Sequence, residues 1–419
     1  MQPTTTTSTR IDINAGRLWR SLMEMASIGP SPNGGSRRLA LTEEDAAGRR
    51  QFRQWAEDLG CHCRLDEAGN LFVRREGRDE SLAPVAFGSH LDTQPLGGRF
   101  DGVLGVLAGL EVLRSLHEHD IQTRRPLELV VWTNEEGSRF APAMGGSGVY
   151  AGRLESTSFF EAKDADGTSL AEALETSDQR GELPLGTPRL HAYFELHIEQ
   201  GPVLEQGGEP LGVVTGVQGI RWYDVRFSGQ SAHAGPTPMS HRRDPLLAAA
   251  DGLVAMRDEV EADPSGNARL TVGEMKVVEP SRNVIPGEIN LTVDLRHVDD
   301  DRLDELEALL HRRFDTAAAK AGVSVDIERR WWSPVTPFDP DLIASLDAAA
   351  RGRGMTAPHM MSGAGHDAVN VSHVAPTVML FIPCRDGISH NEAEYAEPEH
   401  CALGAQVLCD AILDRANLD

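Results

Sequence analysis

The sequence predicts an α/β protein, a mixed and mostly parallel sheet flanked by helices, with a smaller ferredoxin-like α+β domain inserted into it. Three observations carry this. Short apolar runs such as "APVAFGSH" and "LELVVW" alternate with helical segments over residues 14–215, as buried parallel strands and their crossovers do. Near residue 216 the texture changes to strands such as "RWYDVRF", which alternate polar and apolar residues. Near residue 333 the first pattern returns. For 419 residues two domains are the natural prior. The expected division is 1–215 with 333–419 for one domain and 216–332 for the inserted one.

Taken in order, "AAGRRQFRQWAEDLG" is a charged amphipathic helix closed by Gly60. "APVAFGSH" is a buried strand. "DGVLGVLAGLEVLRSLHE" places Val103, Val106, Leu107, Leu110 and Leu113 at helical spacing, with Asp101 positioned to cap the helix start. "LELVVW" and "AYFELHIEQG" supply two more strands, the second broken at Gly201-Pro202. In the inserted domain Tyr223, Val225 and Phe227 share one face of a strand. A helix follows with Asp244 as N-cap and Pro245 at its first position. "RLTVGEMKVV" and "INLTVDLRHV" read as antiparallel strands, followed by a helix from Asp299 to Ala321 and the strand "VSVDIE". That order, β-α-β-β-α-β, is the split βαβ unit. The chain closes with the strand "TVMLFIP" and a helix after Pro398.

Composition excludes some classes. A net charge of −24, spread along the chain, argues against nucleic acid and anionic membrane as partners. No run approaches the ~18 to 20 apolar residues of a membrane span. The opening "MQPTTTTSTR" lacks a secretory pattern and reads as a frayed tail. Five cysteines suit a reducing cytoplasm better than a disulfide framework, and "CHC" at 61–63 has no second cysteine pair to make a metal site. "GGRFDGVLG" is not the dinucleotide fingerprint, and "GGSGV" is not a nucleophile elbow.

The chemistry begins with two like charges side by side. Glu135 and Glu136 follow "LELVVW" directly, although neighbouring carboxylates repel and desolvating either is costly. Taken alone, an adjacent pair is a solvated turn, and Asp101, His90, His197 and His390 are a helix cap and loop histidines. Their positions change the reading. His90, Glu135/Glu136, His197 and His390 each fall at or just beyond the C-terminal end of a strand, and a doubly wound sheet gathers such ends at one edge. Oxygen and nitrogen ligands without sulfur suit one or two divalent ions such as Zn, Mn, Co or Ni.

The segments "GSHLDTQPLGGRFDGVLGVLAG", "WTNEEGSRFAPAMGGSG", "ELHIEQGPVLE", "GQSAHAGPTPM", "SRNVIPGEI" and "SGAGHDA" span nearly the whole chain. In that order they resemble the dinuclear metallopeptidase superfamily of carboxypeptidase G and aminoacylase. More narrowly, the chain is similar to the branch of N-carbamoyl-L-amino acid amidohydrolase, β-ureidopropionase and allantoate amidohydrolase, marked by His197 where peptidase relatives tend to carry an acid. The resemblance implies that Asp101 bridges two divalent ions, one completed by His90 and His197, the other by Glu136 and His390. Glu135 is then the general base. Arg296 and Asn283 would hold the substrate carboxylate, and His233 would reach a neighbouring subunit's site and polarise the carbonyl under attack. Gln200, Gln218 and Gly363 match further substrate contacts; His366 receives no role. The inserted domain would be the dimerisation domain of a homodimer. The expected reaction is hydrolysis of a ureido acid to amino acid, ammonia and carbon dioxide. The rivals are an allantoate amidohydrolase, an aminoacylase or dipeptidase, and a degenerate binding protein; the last is disfavoured because Glu135 and all five ligands are present.

Overall fold

Four strands buried along their whole length carry the larger unit: Val85–His90, Leu127–Trp132, Ala192–Ile198 and Thr377–Ile382. In this computed structural model, which describes residues 11–418, they lie parallel and adjacent. The expected frayed tail at residues 1–10 lies outside the described residues. Leu127–Trp132 sits on one side of Val85–His90 and Ala192–Ile198 on the other, so the strand order reverses at Val85–His90. A reversal of that kind opens a crevice beyond the carboxyl ends of the two diverging strands. Antiparallel strands extend both edges: His62–Leu65 and Leu71–Arg75 beyond Leu127–Trp132, and Gly212–Val217 beyond Thr377–Ile382. Cys61 ends the helix-to-strand connection into His62–Leu65, and all five cysteines are unpaired.

The helix Val103–Glu118 is buried on nearly every residue and packs on this sheet. Its glycines allow the approach. A Cβ on Gly105 would stand 2.4 Å from the Leu196 carbonyl and 2.9 Å from the Ser89 Cβ. The helix start differs from expectation. Asp101 does not cap it; the cap position is Gly102, at φ 66°, with no side-chain cap bond. The reason is competition, since the Asp101 carboxylate is engaged by side chains of the site described below.

The second compact unit is Val217–Thr336; the residues up to Gly216 and from Pro337 form the first. It is an antiparallel sheet in the order Met275–Val277, Glu288–His297, Gly219–Ser228, Ser324–Ser333. Tyr223, Val225, Phe227, Ile289, Leu291, Val293 and Leu295 form one core with Leu303, Leu306, Leu310 and Phe314 of the helix Asp300–Ala321. The second helix, Pro245–Glu261, starts as the sequence predicts, with the Asp244 carboxylate accepting from the Leu246 and Leu247 N–H groups. Two details differ from the sequence reading. "RLTVGEMKVV" forms two short strands, Arg269–Thr271 and Met275–Val277, because Glu274 turns aside to bond both Thr292 Oγ1 and the Thr292 N–H. The last strand runs on to Ser333 because a bulge between Arg329 and Trp331 restores pairing with Trp222, Arg221 and Ile220.

Gly105→Val is expected to destabilise the protein by about 2 kcal/mol or more, since overpacking of a tight contact typically costs about 1–3 kcal/mol. Urea unfolding checks this; an unchanged midpoint would mean the helix can move off the sheet.

Candidate metal centre

The strand reversal brings His90, at the end of one strand, beside His197 near the end of the next; their ring centroids are 6.0 Å apart. Each ring is oriented from behind. The His90 Nδ1–H donates to the Asp92 carbonyl at 2.9 Å, and the His197 Nδ1–H donates to the Ile198 carbonyl at 2.8 Å. Both therefore turn Nε2 toward Asp101, whose Oδ1 lies 3.6 Å from His90 and 3.1 Å from His197. The second Asp101 oxygen, Oδ2, lies 3.4 Å from the His390 Nε2, which is also 3.4 Å from the Glu136 Oε2.

Those spacings are the fit test for bound cations. Ligands about 2.0–2.1 Å from a tetrahedral divalent ion stand about 3.3–3.4 Å from each other. Two ligand sets, His90–Asp101–His197 and Asp101–Glu136–His390, each keep their ligand atoms within 4.8 Å of one another and share Asp101, and the four spacings given above, 3.1 to 3.6 Å, bracket that value. Three protein ligands for each ion leave a position open, as catalytic sites do. The residues fit a dinuclear divalent-metal site.

Gly102 explains itself here. A Cβ at that position would stand 2.4 Å from the His90 ring, so only glycine lets the chain pass beneath the imidazole.

A profile of peptidase family M20/M25/M40 matches residues 86–414. The chain belongs to that family. Within it, the chain is 44% identical over 97% of its length to an N-carbamoyl-L-amino-acid amidohydrolase of Rhizobium meliloti, covering 97% of that protein. It is 33% identical to an allantoate amidohydrolase of Bacillus subtilis over 93% of this chain and 94% of that one. The crystal structure of an amidase of the hydantoinase/carbamoylase family from Burkholderia multivorans matches with a TM-score of 0.93 at 50% identity, covering 97% of this chain and 98% of that one. This M20 protein is thus a metal-dependent hydrolase of the hydantoinase/carbamoylase branch.

Around the ligands the hydrolase places residues that the sequence reading did not single out. The Asp92 carboxylate accepts from the N–H groups of Glu135 at 3.3 Å and Glu136 at 3.2 Å, fixing the turn that carries both. Gln94 donates its N–H to one Glu136 oxygen at 3.0 Å and its amide to the other at 2.6 Å. Glu394 accepts from the Phe100 and Asp101 N–H groups at 2.9 and 3.1 Å. Buried Arg49 donates to the Trp132 carbonyl and Thr133 Oγ1, tying down the strand end just before the glutamates. The only advance signal for Asp92 was an acid two residues after His90 in "SHLDTQ".

Glu135 belongs to neither ligand set, yet its Oε2 is 3.5 Å from the His90 Nε2 and the residue is 8% exposed. Burial, then the charges of Asp367 and Glu136, raise its carboxyl well above the ordinary range. Divalent cations nearby oppose that rise. Asp367 is itself raised well above the ordinary range, by burial and then by Glu195. Burial also lowers His90 to about 4, leaving its Nε2 unprotonated at neutral pH. His366 lies against His197 at 4.6 Å between ring centroids and shares a 3.0 Å hydrogen bond with Ser362 Oγ.

The expected substrate contacts divide between the two units. Gln200 donates to Asp101 Oδ2 at 2.9 Å, and its buried Oε1 meets no donor. Gly363 follows the strand His359–Ser362. In the smaller unit, His233 and Val284 are paired across two short strands, which sets His233 beside Asn283. Arg296 is paired with Asp294 through Nε at 2.9 Å and Nη2 at 2.7 Å. Gln218 is buried at the junction of two strands.

The His197 ring is depressed by burial but raised more strongly by its hydrogen bond and charge contact with Asp101, to about 9. A cation between Nε2 and Oδ1 must displace that proton. Affinity at this position is therefore expected to fall about tenfold per pH unit below pH 9. Calorimetry in buffers of different ionisation enthalpy should find about one proton released per subunit near pH 7. Release of none would mean that the ring is already neutral.

Proposed function

We propose that this chain hydrolyses the ureido group of N-carbamoyl-L-amino acids or of β-ureidopropionate, giving the amino acid, ammonia and carbon dioxide. The observation that carries the reading is Glu135, a buried carboxylate outside both ligand sets but in reach of one of them, in a branch marked by His197. When bound, the two ions supply Lewis acidity, polarising a carbonyl and lowering the pKa of water to about 7. The Glu135 Oε2 takes the proton of the water that attacks the carbamoyl carbon and delivers it to the departing nitrogen as the C–N bond breaks. Asp92 and Gln94 keep Glu135 and Glu136 in register for these separate tasks. Adjacent carboxylates are tolerable because one binds a cation and the other works with a proton.

In this reading Arg296 and Asn283 hold the substrate carboxylate, for which a planar guanidinium is suited. Gln200, Gln218 and Gly363 add contacts, the unpartnered Gln200 Oε1 being an acceptor for a substrate N–H. His233 polarises the carbonyl in the site of a second subunit, and the chain is a homodimer through its inserted domain. Five unpaired cysteines support placing it in the cytoplasm. The second reading, an allantoate amidohydrolase, uses the same ligands; "HLDTQP" favours the first. An aminoacylase or dipeptidase is disfavoured by His197. α- and β-ureido acids differ by one methylene, worth about 1–3 kcal/mol of discrimination in a fitted pocket.

The test is ammonia release by metal-loaded protein from an N-carbamoyl-L-amino acid, β-ureidopropionate and allantoate. One of the first two is expected to dominate, and chelation should abolish turnover. Activity on allantoate alone would install the second reading; silence on all three would move the search to acylated amino acids. Glu135→Gln should lower kcat about 10²–10⁴-fold while retaining both ions.

A mixture of Glu135→Gln and His233→Ala proteins tests the shared site. Subunit exchange should restore about a quarter of wild-type activity, because half the dimers are mixed and each holds one intact site. No recovery after verified exchange would place His233 in its own subunit's site, or in none.

A further inference from the structure

The two metal positions are built to different standards. His90 and His197 are buried, and each is braced at Nδ1 by a backbone carbonyl. His390 sits on a loop at φ 54°, its side chain 52% exposed, and among the described residues no acceptor meets its Nδ1. Nothing behind the ring orients it. Its place depends on how the loop backbone is held.

Two carboxylates hold that loop from opposite sides, and the Ser389 hydroxyl next to His390 lies 3.0 Å from Asp101 Oδ2 and 3.1 Å from Glu394 Oε2. Glu394 fastens it inward, to the N–H groups of Phe100 and Asp101. Glu392, two residues past His390, fastens it outward to a turn near the start of the chain. Its Oε1 accepts from Ser31 Oγ at 2.5 Å and the Asn33 N–H at 2.9 Å, and its Oε2 accepts from the Asn33 side-chain amide at 2.7 Å. The same turn is anchored to the loop before Asp101, through paired backbone bonds between Ser36 and Gly97 at 2.9 and 3.0 Å. Gly35 fits between the two: a Cβ there would stand 2.2 Å from the Gly97 carbonyl and 2.8 Å from the Glu392 Cα. Residues 29–36 thus clasp both the segment leading to Asp101 and the segment carrying His390, though no residue of this turn is a ligand.

We propose that Glu392 and the turn at residues 29–36 form a latch that sets the occupancy of the Asp101–Glu136–His390 position, so that this ion exchanges while the ion at His90 and His197 is retained. Glu392 is a positioning residue acting through His390. The asymmetry follows from bracing, because an imidazole fixed only through its backbone must be ordered by the ion that binds it. Loss of an outer-shell partner typically weakens metal affinity about 10–100-fold.

The experiment is metal content per subunit, by mass spectrometry, after equilibration of zinc-loaded protein against graded chelator. Wild type is expected to lose its ions in two steps. Glu392→Ala, and separately Ser31→Ala with Asn33→Ala, should move the first step to about tenfold less chelator or lower and leave the second in place. Glu392→Gln, which keeps an oxygen acceptor, should recover part of the shift. His390→Ala should remove the first step altogether, which identifies it. Thermal melting of the zinc-loaded variants checks that each is folded. Both steps moving together would mean general loosening, and neither moving would mean that the turn bears no load; each outcome overturns the latch. A wild type that never takes up a second ion would overturn the dinuclear reading itself, a result distinct from failure of the latch.

Discussion

A single carboxylate shared between two cations is the constraint from which the rest of the site follows. Burial alone would make Asp101 a poor anion, yet the His197 bond and the neighbouring imidazoles hold its carboxyl far below the ordinary range. Around it, Asp92, Glu135, Glu136, Glu195, Asp367 and Glu394 are all raised by burial. Such a density of buried acids needs counter-charge, and the cations supply it in the place where it serves chemistry. Stability and catalysis thus draw on the same ions. The backbone accommodates Asp101 in turn: the helix behind it gives up an acidic cap, and Gly102 lets the chain pass under the His90 ring.

Much of this was legible in the sequence because its signals are local. Apolar runs ending in His90 and Trp132, and the alternating segment that carries His197, marked strands, and strand ends are where such sheets gather their chemistry. Asp244 before Pro245 marked a helix start. The Asp101 cap failed for a physical reason: a local preference of about 1 kcal/mol lost to electrostatics assembled from residues far apart in sequence. The Glu274 turn and the bulge at Arg329 were invisible for a similar cause, since each depends on a partner across the sheet. Asp92 and Gln94 were missed because they bond Glu135 and Glu136 rather than bind metal themselves, and Glu392 because it holds the His390 loop from a turn near the start of the chain. Their spacing carries no signature, and only the folded loops bring them to their partners.

Glycine placement links fold and site more closely than ligand identity does. Gly35, Gly102 and Gly105 stand where backbone meets backbone, a ligand ring or a carbonyl at distances no side chain allows. None touches a cation. Each nevertheless limits how the ligand loops can sit, so the tolerance of the site to substitution is set partly by positions with no chemistry of their own.

The sheet order has a consequence for the order of synthesis. Thr377–Ile382 lies between Ala192–Ile198 and Gly212–Val217, pairing with both, although about 160 residues of chain intervene before it leaves the ribosome. Until it arrives, the strand bearing His197 has an open apolar edge, and the ligand His390 has not been made. The contiguous unit Val217–Thr336 emerges whole in that interval and can fold first. The nascent larger unit must therefore wait with an unpaired strand exposed. That makes the half-made chain, rather than the finished enzyme, the form most in need of protection from aggregation.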